Sequence, residues 1–331
     1  MKILVTATMA QKCLQQLEEA FGSVAYKPWT DNVGGGGFSE KEILELLKKY
    51  QPDILITELD NVTEHVIRTY GNLKVIGDCR ANPVNIDIEA CNAMKIPVFC
   101  TPARNAQAVA ELLVGMLINF HRNIQSSIQW VEDGNWKPGG DEPYGKFMGN
   151  ELYGRKVGFV GFGAVGQKTA GILEAFGCQI FFYDPFVESV KESYRKTDME
   201  YIFSHSDIIT VHLPVLKSTI HMIGEDLLER MKPTAVFVNT ARAAVVDTKA
   251  LESILRSGKI RGAILDVLDH EPPTEEDLKI AELPNVLLTP HICGATYEVI
   301  DHHSIIMLER LMKWKEGTDW EGVVFNKQML S

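Results

Sequence analysis

The sequence predicts an α/β protein built from two doubly wound parallel sheets. Three observations carry that prediction. Short apolar, β-rich runs alternate with helical stretches almost from end to end, the alternation starts afresh after Gly154, and Val157–Gln167 (VGFVGFGAVGQ) drives an apolar strand straight into three glycines spaced G-x-G-x-x-G. At 331 residues the chain is too long for one ordinary domain and comfortable for two.

In the first hundred residues KILVTA (2–7), DILITE (53–58), LKVIG (73–77) and IPVFC (96–100) read as strands. Their near-continuous apolar character is what burial on both faces of a parallel sheet requires. Between them, FSEKEILELLKKY (38–50) reads as a helix capped by Ser39, and NVTEHVIRTYG (61–71) as a second. GGGG at 34–37 reads as a surface loop, and 105–125 as one long, nearly all-apolar helix. The second series has six strands: KVGFVG (156–161), QIFFYD (179–184), DIITVHL (207–213), TAVFVNT (234–240), GAILDV (262–267) and NVLLT (285–289). AVGQKTAGILEAFG (164–177) and TKALESILRSGK (248–259) are helices among them.

Composition removes several classes of function. With 45% hydrophobic and 23% charged residues the chain is an ordinary globular protein. Its net charge of −11 speaks against nucleic acid or an anionic membrane as partner, since both need a basic footprint. The N-terminus offers only a five-residue apolar run, too short for a signal-peptide core. No apolar run approaches the ~20 residues of a membrane span. The six cysteines are scattered without a C-x-x-C pair or a histidine at ligand spacing, so the reading is reduced thiols in a cytoplasm and no metal site.

Each glycine of the motif has a mechanical task. Gly161 permits the tight turn, Gly163 lets backbone approach a pyrophosphate, and Gly166 lets helix and strand pack closely. The pyrophosphate then faces the helix start at Ala164 and Val165, where unpaired N–H groups favour negative charge. The next strand ends in Tyr183-Asp184, and Asp184 lies 18 residues past Gly166, where an acid binds the adenosine ribose hydroxyls. No Arg or Lys follows in PFVES to take a 2′-phosphate, so NAD is favoured over NADP.

Ligands of such sheets bind beyond the carboxyl ends of the strands. His212, Pro214 and Thr219, then Thr240 and Ala241, Asp266 and His291 follow successive strands there and extend the candidate cofactor lining. The same edge carries a cation, Arg242, a carboxylate, Glu271, and an imidazole, His291. Reduction of a 2-keto acid needs such a set. Hydride reaches the carbonyl carbon while a general acid protonates the oxygen, and histidine titrates near working pH. A carboxylate on its other nitrogen orients the ring, and a guanidinium can hold the substrate carboxylate in a forked, planar contact.

These residues lie in stretches that resemble the D-isomer-specific 2-hydroxyacid dehydrogenases, the family that includes D-3-phosphoglycerate dehydrogenase. The stretches are TPARNAQAVAELLVG, VGFVGFGAVG, VHLPVLKST, VNTARAAVVD, LDVLDHEPP and LTPHICGAT, in the family's order from about residue 75 to the C-terminus. The resemblance implies that Arg242 binds the substrate carboxylate, His291 is the acid/base, Glu271 is its partner, and Asp266 lies by the nicotinamide amide. It implies a flavodoxin-like substrate-binding domain of residues 1–102 and 292–331, to which a C-terminal helix (about 296–316) returns. A Rossmann NAD-binding domain would span 103–291, with a homodimerisation arm at about 105–150 and the active site in the interdomain cleft. Arg80, with Ala81 and Asn82, and Arg104 are the candidate contacts of a polar or anionic substrate tail.

Two departures stand out. Ala243 replaces the glycine usual beside the arginine, and CRANPVNID (79–87) replaces a glycine-rich loop about two residues longer, with Pro83 lacking an N–H to donate. The expected activity is that of an NAD-dependent D-2-hydroxyacid dehydrogenase. An NAD(H)-sensing, corepressor-like binding protein on the same scaffold is the alternative. Formate dehydrogenase, whose family members carry Gln for the paired Glu, fits Glu271 less well.

Overall fold

The computed structural model describes residues 1–32, 36–188 and 190–330; Gly34 and Gly35 of the glycine run lie outside them. Contacts divide the chain into Met1–Asn105 with Thr296–Ser331, and Ala106–Ala295. Both units are parallel α/β sheets.

The first unit has five strands, β1 (Ile3–Val5), β2 (Val24–Tyr26), β3 (Ile54–Thr57), β4 (Val75–Asp78) and β5 (Val98–Phe99), in the order β2-β1-β3-β4-β5. Successive side chains of a strand go to opposite faces. Accordingly, Ile3, Val5, Ile54, Ile56 and Val75 pack with Met307 and Leu311 of the helix Glu298–Glu316, whereas Leu4, Leu55 and Ile76 pack with Ile43, Leu47 and Val66 on the other side. Gly77 makes the first of these possible. A Cβ there would stand 2.5 Å from Met307 Sδ. The helix Glu40–Tyr50 begins with a capping box, in which Ser39 and Glu42 satisfy each other's backbone N–H.

The second unit adds β6 (Lys156–Val160), β7 (Gln179–Tyr183), β8 (Arg195–Lys196), β9 (Ile208–Val211), β10 (Val236–Asn239), β11 (Gly262–Leu265) and β12 (Val286–Leu288). Their order, β12-β11-β10-β9-β6-β7-β8, reverses direction between β6 and β9. That switch point opens a crevice at the carboxyl edge, directly at the glycine turn. The long apolar segment is two helices rather than one. Ala106–Arg122 packs Leu113, Val114 and Leu117 into the core of this unit, Asn123 turns left-handed at φ +55°, and Ile124–Glu132 follows. Asparagine is among the few residues that adopt this conformation readily. Ile128, Val131, Trp136, Tyr144 and Met148 beyond the break stay exposed.

Among the described residues no helix is long and apolar enough to cross a membrane, and no group of three or more His, Cys, Asp or Glu is placed to hold a metal ion. All six cysteines are buried and unpaired.

Candidate active site

The turn after β6 is shaped for a phosphate group. Gly161 has φ +88°, and a Cβ on it would come within 2.8 Å of the His212 carbonyl oxygen. A Cβ on Gly166 would lie 3.0 Å from Gly161 O, so helix and strand touch through bare backbone. Gly163, by contrast, faces open space. It is also the N-cap of Ala164–Ala175 and supplies no side-chain cap, which leaves the first-turn donors to a ligand. Asp184 is fixed beside this turn, its two oxygens accepting from Phe162 N and Phe186 N, each at 2.8 Å. The residues present therefore fit a dinucleotide.

The walls come from the neighbouring strand ends. His212 stacks on Phe159 and meets Thr210 Oγ1 through Nε2 at 3.0 Å. Burial holds its imidazole down to about 3, so the ring is neutral at any working pH. The Thr219 hydroxyl donates to Pro214 O and accepts from Leu216 N, closing the loop after β9. Thr240 Oγ1 is buried without a hydrogen-bond partner among the described residues. Tyr183 is half-buried at the end of β7.

Adjacent strands β10, β11 and β12 carry the three candidate chemical groups. Asn239 ends β10, accepting from Ala241 N and donating to Arg242 O, both at 3.0 Å, so one amide forms the turn that presents Arg242. Arg242 is exposed, with Nη1 on Ala241 O at 2.6 Å and no ion pair among the described residues. His291 Nδ1 lies 2.5 Å from Glu271 Oε2, and both side chains remain about two-fifths exposed. This bond fixes the ring and leaves Nε2 as the nitrogen free to exchange a proton.

His291 itself has φ +54°, a conformation costing a non-glycine residue about 1–2 kcal/mol. Asp266 holds it there. One Asp266 oxygen accepts from the Thr289 hydroxyl at 2.5 Å and Ile292 N at 2.9 Å, the other from Cys293 N at 2.9 Å. Both oxygens of this buried carboxylate are thus engaged by the turn that carries His291. Neither Asn239 nor Thr289 stood out in the sequence; a polar residue closing an apolar strand was the only signal, and it is a weak one.

In the first unit Arg80 is half-buried just past β4, its carbonyl accepting from Thr101 N, with Ala81 and Asn82 exposed beside it. It forms no ion pair among the described residues, with Asp78 and Asp87 included. Arg104 is placed differently. Its Nη1 donates to Glu58 Oε1 at 2.6 Å and to His303 Nδ1 at 2.8 Å, while His303 Nε2 donates to Thr8 O at 2.6 Å. Burial works to raise the Glu58 carboxyl, yet the bond from Trp29 and the charge of Arg104 outweigh it and hold the group below the usual range. Arg104 therefore serves as an internal strut between β3 and the C-terminal helix.

The family model described as "D-isomer specific 2-hydroxyacid dehydrogenase, NAD binding domain" matches residues 114–293. The chain is 46% identical to the 2-hydroxyacid dehydrogenase YoaD of Bacillus subtilis over all of its own length and 96% of that protein. It is 35% identical to the D-3-phosphoglycerate dehydrogenase of Methanocaldococcus jannaschii over 98% of this chain, and it spans 59% of that longer protein. A solved structure of D-2-hydroxyisocaproate dehydrogenase superposes with a TM-score of 0.79 at 25% identity, covering 96% of this chain and 97% of that one.

Proposed function

Because the chain belongs to the D-isomer-specific 2-hydroxyacid dehydrogenases, we propose that it interconverts a D-2-hydroxy acid and its 2-keto acid with an anionic or polar tail. The NAD dependence and the 2-hydroxyacid dehydrogenase activity come with the family; substrate tail and residue roles are our reading. The observation that carries it is the Glu271–His291 pair, 2.5 Å apart on the sheet edge that also bears the glycine turn. When bound, NAD supplies the hydride acceptor and NADH the hydride donor.

The chain's own residues do the rest. His291 Nε2 protonates the carbonyl oxygen during reduction and takes the proton back during oxidation. Glu271 holds the ring by Nδ1 and stabilises the charged form. Arg242 grips the carboxylate in a fork and polarises the neighbouring carbonyl. Asp184 receives the ribose hydroxyls, and Arg80 meets the tail, the reading to which the likeness to D-3-phosphoglycerate dehydrogenase adds support. Arg104, bonded to Glu58 and His303, is withdrawn from that role. The exposed apolar side chains at 128–148 support a homodimer in which that surface is covered, and the six buried thiols suit a cytoplasmic setting.

The test is oxidation of NADH with a panel of 2-keto acids. Turnover on at least one is expected. Tight NADH binding with no turnover on any would instead support the NAD(H)-sensing alternative. The same assay with NADPH should give kcat/KM roughly a hundredfold lower, because Asp184 loses a charge-assisted bond and repels the added phosphate. Equal kcat/KM for the two cofactors would sink the assignment of Asp184.

A further inference from the structure

Asp78 ends β4 and is fully buried, yet neither of its carboxyl oxygens has a hydrogen-bond partner among the described residues. An ionised carboxylate left so is costly, and the neutral acid is the form that such a site favours. Burial pushes this carboxyl up to about 8. The charges acting on it are Arg80 and Arg104, which favour ionisation, and Glu58 and Asp60, which oppose it. The neighbouring Cys79 and Cys100 thiols are themselves pushed up by burial and stay neutral. Arg104 is bonded to Glu58 and His303. Arg80, two residues along and half-buried, is the cation left to answer a charge on Asp78.

We propose that Asp78 governs the availability of Arg80 to the substrate: as the neutral acid it leaves the guanidinium free, and as the carboxylate it draws the guanidinium into an ion pair. This rests on the reading that Arg80 meets the substrate tail. The step is one O–H ionisation, with the proton passing to solvent. Selectivity for a charged tail therefore falls at alkaline pH for a reason separate from the proton transfer at His291, which every keto acid shares.

The experiment compares 2-oxoglutarate with 2-oxobutyrate in wild type, Asp78→Asn and Arg80→Ala from pH 6.5 to 9.5. In wild type the ratio of the two kcat/KM values should fall about tenfold between pH 7 and 9, one decade being ~1.4 kcal/mol. In Asp78→Asn it should stay flat. A flat wild-type ratio, or an equal fall in the variant, overturns the coupling. Arg80→Ala tests the underlying reading separately: equal losses on both substrates would show that Arg80 does not meet the tail.

The protonation state has its own readout. A folded-state acid held above its unfolded value gives stability that is present below about pH 4 and lost as pH rises through about 8. Asp78→Asn cannot titrate, so the denaturation midpoint of wild type should fall relative to the variant between pH 5 and 8, then run parallel above 9. A gap independent of pH overturns the neutral acid. If the variant does not fold, infrared spectroscopy of wild type decides it: a protonated-carboxyl band lost near pH 8 is expected, and its absence at pH 6 refutes the proposal.

Discussion

His291→Ala should lower kcat by about 10³-fold or more, at the strong end of what general acid–base catalysis contributes. The effect is this large because His291 carries the bond to Glu271 that fits it to exchange the proton. Among the imidazoles of the second unit, His212 is held neutral against Phe159 and Thr210, and His270 is turned to Asp277 at 3.0 Å. NADH binding should stay within a few-fold of wild type, since the glycine turn and Asp184 are untouched. Glu271→Gln should be milder, because the amide oxygen still accepts from Nδ1 and only the stabilising charge is lost. Stopped-flow turnover and fluorescence titration of NADH separate the two effects. A His291→Ala enzyme that kept most of its kcat would mean that the proton travels by another route.

The parts of this protein that were legible in the sequence are those specified locally. Buried parallel strands advertise themselves as apolar runs, and the glycine turn is written into eleven consecutive residues. Asp184 stood out because its distance from Gly166 is set by one helix and one strand. What escaped has no local signature. β2 and β8 are edge strands of three and two residues, too short for any periodicity, and exist only through their pairing to β1 and β7. The helix break at Asn123 falls in the polar stretch His121-Arg122-Asn123, which a continuing helix would accommodate as readily as a turn. Arg104 looked like a free cation at a helix entrance because its partners lie 46 and 199 residues away, in Glu58 and His303. The orphaned carboxyl of Asp78 is equally invisible, since a lone acid at a strand end gives no hint of full burial. Sequence thus pointed to the strand-end residues proposed as the site and missed the struts that hold them.

Arg242→Gln should lower kcat/KM by roughly 10²–10³-fold, the 3–4 kcal/mol expected when one partner of a desolvated, hydrogen-bonded charge pair is removed. The turn that presents Arg242 is held by the side chain of Asn239, so the backbone should survive the change and the loss will be chemical. In the free protein the guanidinium rests only on the carbonyl of Ala241 and forms no ion pair among the described residues, so binding a substrate carboxylate breaks no existing pair. Arg242→Lys should recover a small part of the loss, because an ammonium restores the charge without the planar fork. The decisive comparison pairs each enzyme with a 2-keto acid and with its neutral amide. Wild type should prefer the acid strongly, and Arg242→Gln should lose most of that preference, its rate on the amide falling less than its rate on the acid because only the polarisation of the carbonyl is lost there. If the variant discriminated acid from amide as well as wild type does, the carboxylate would be held elsewhere, and the backbone of the loop at 80–82 would become the first place to look.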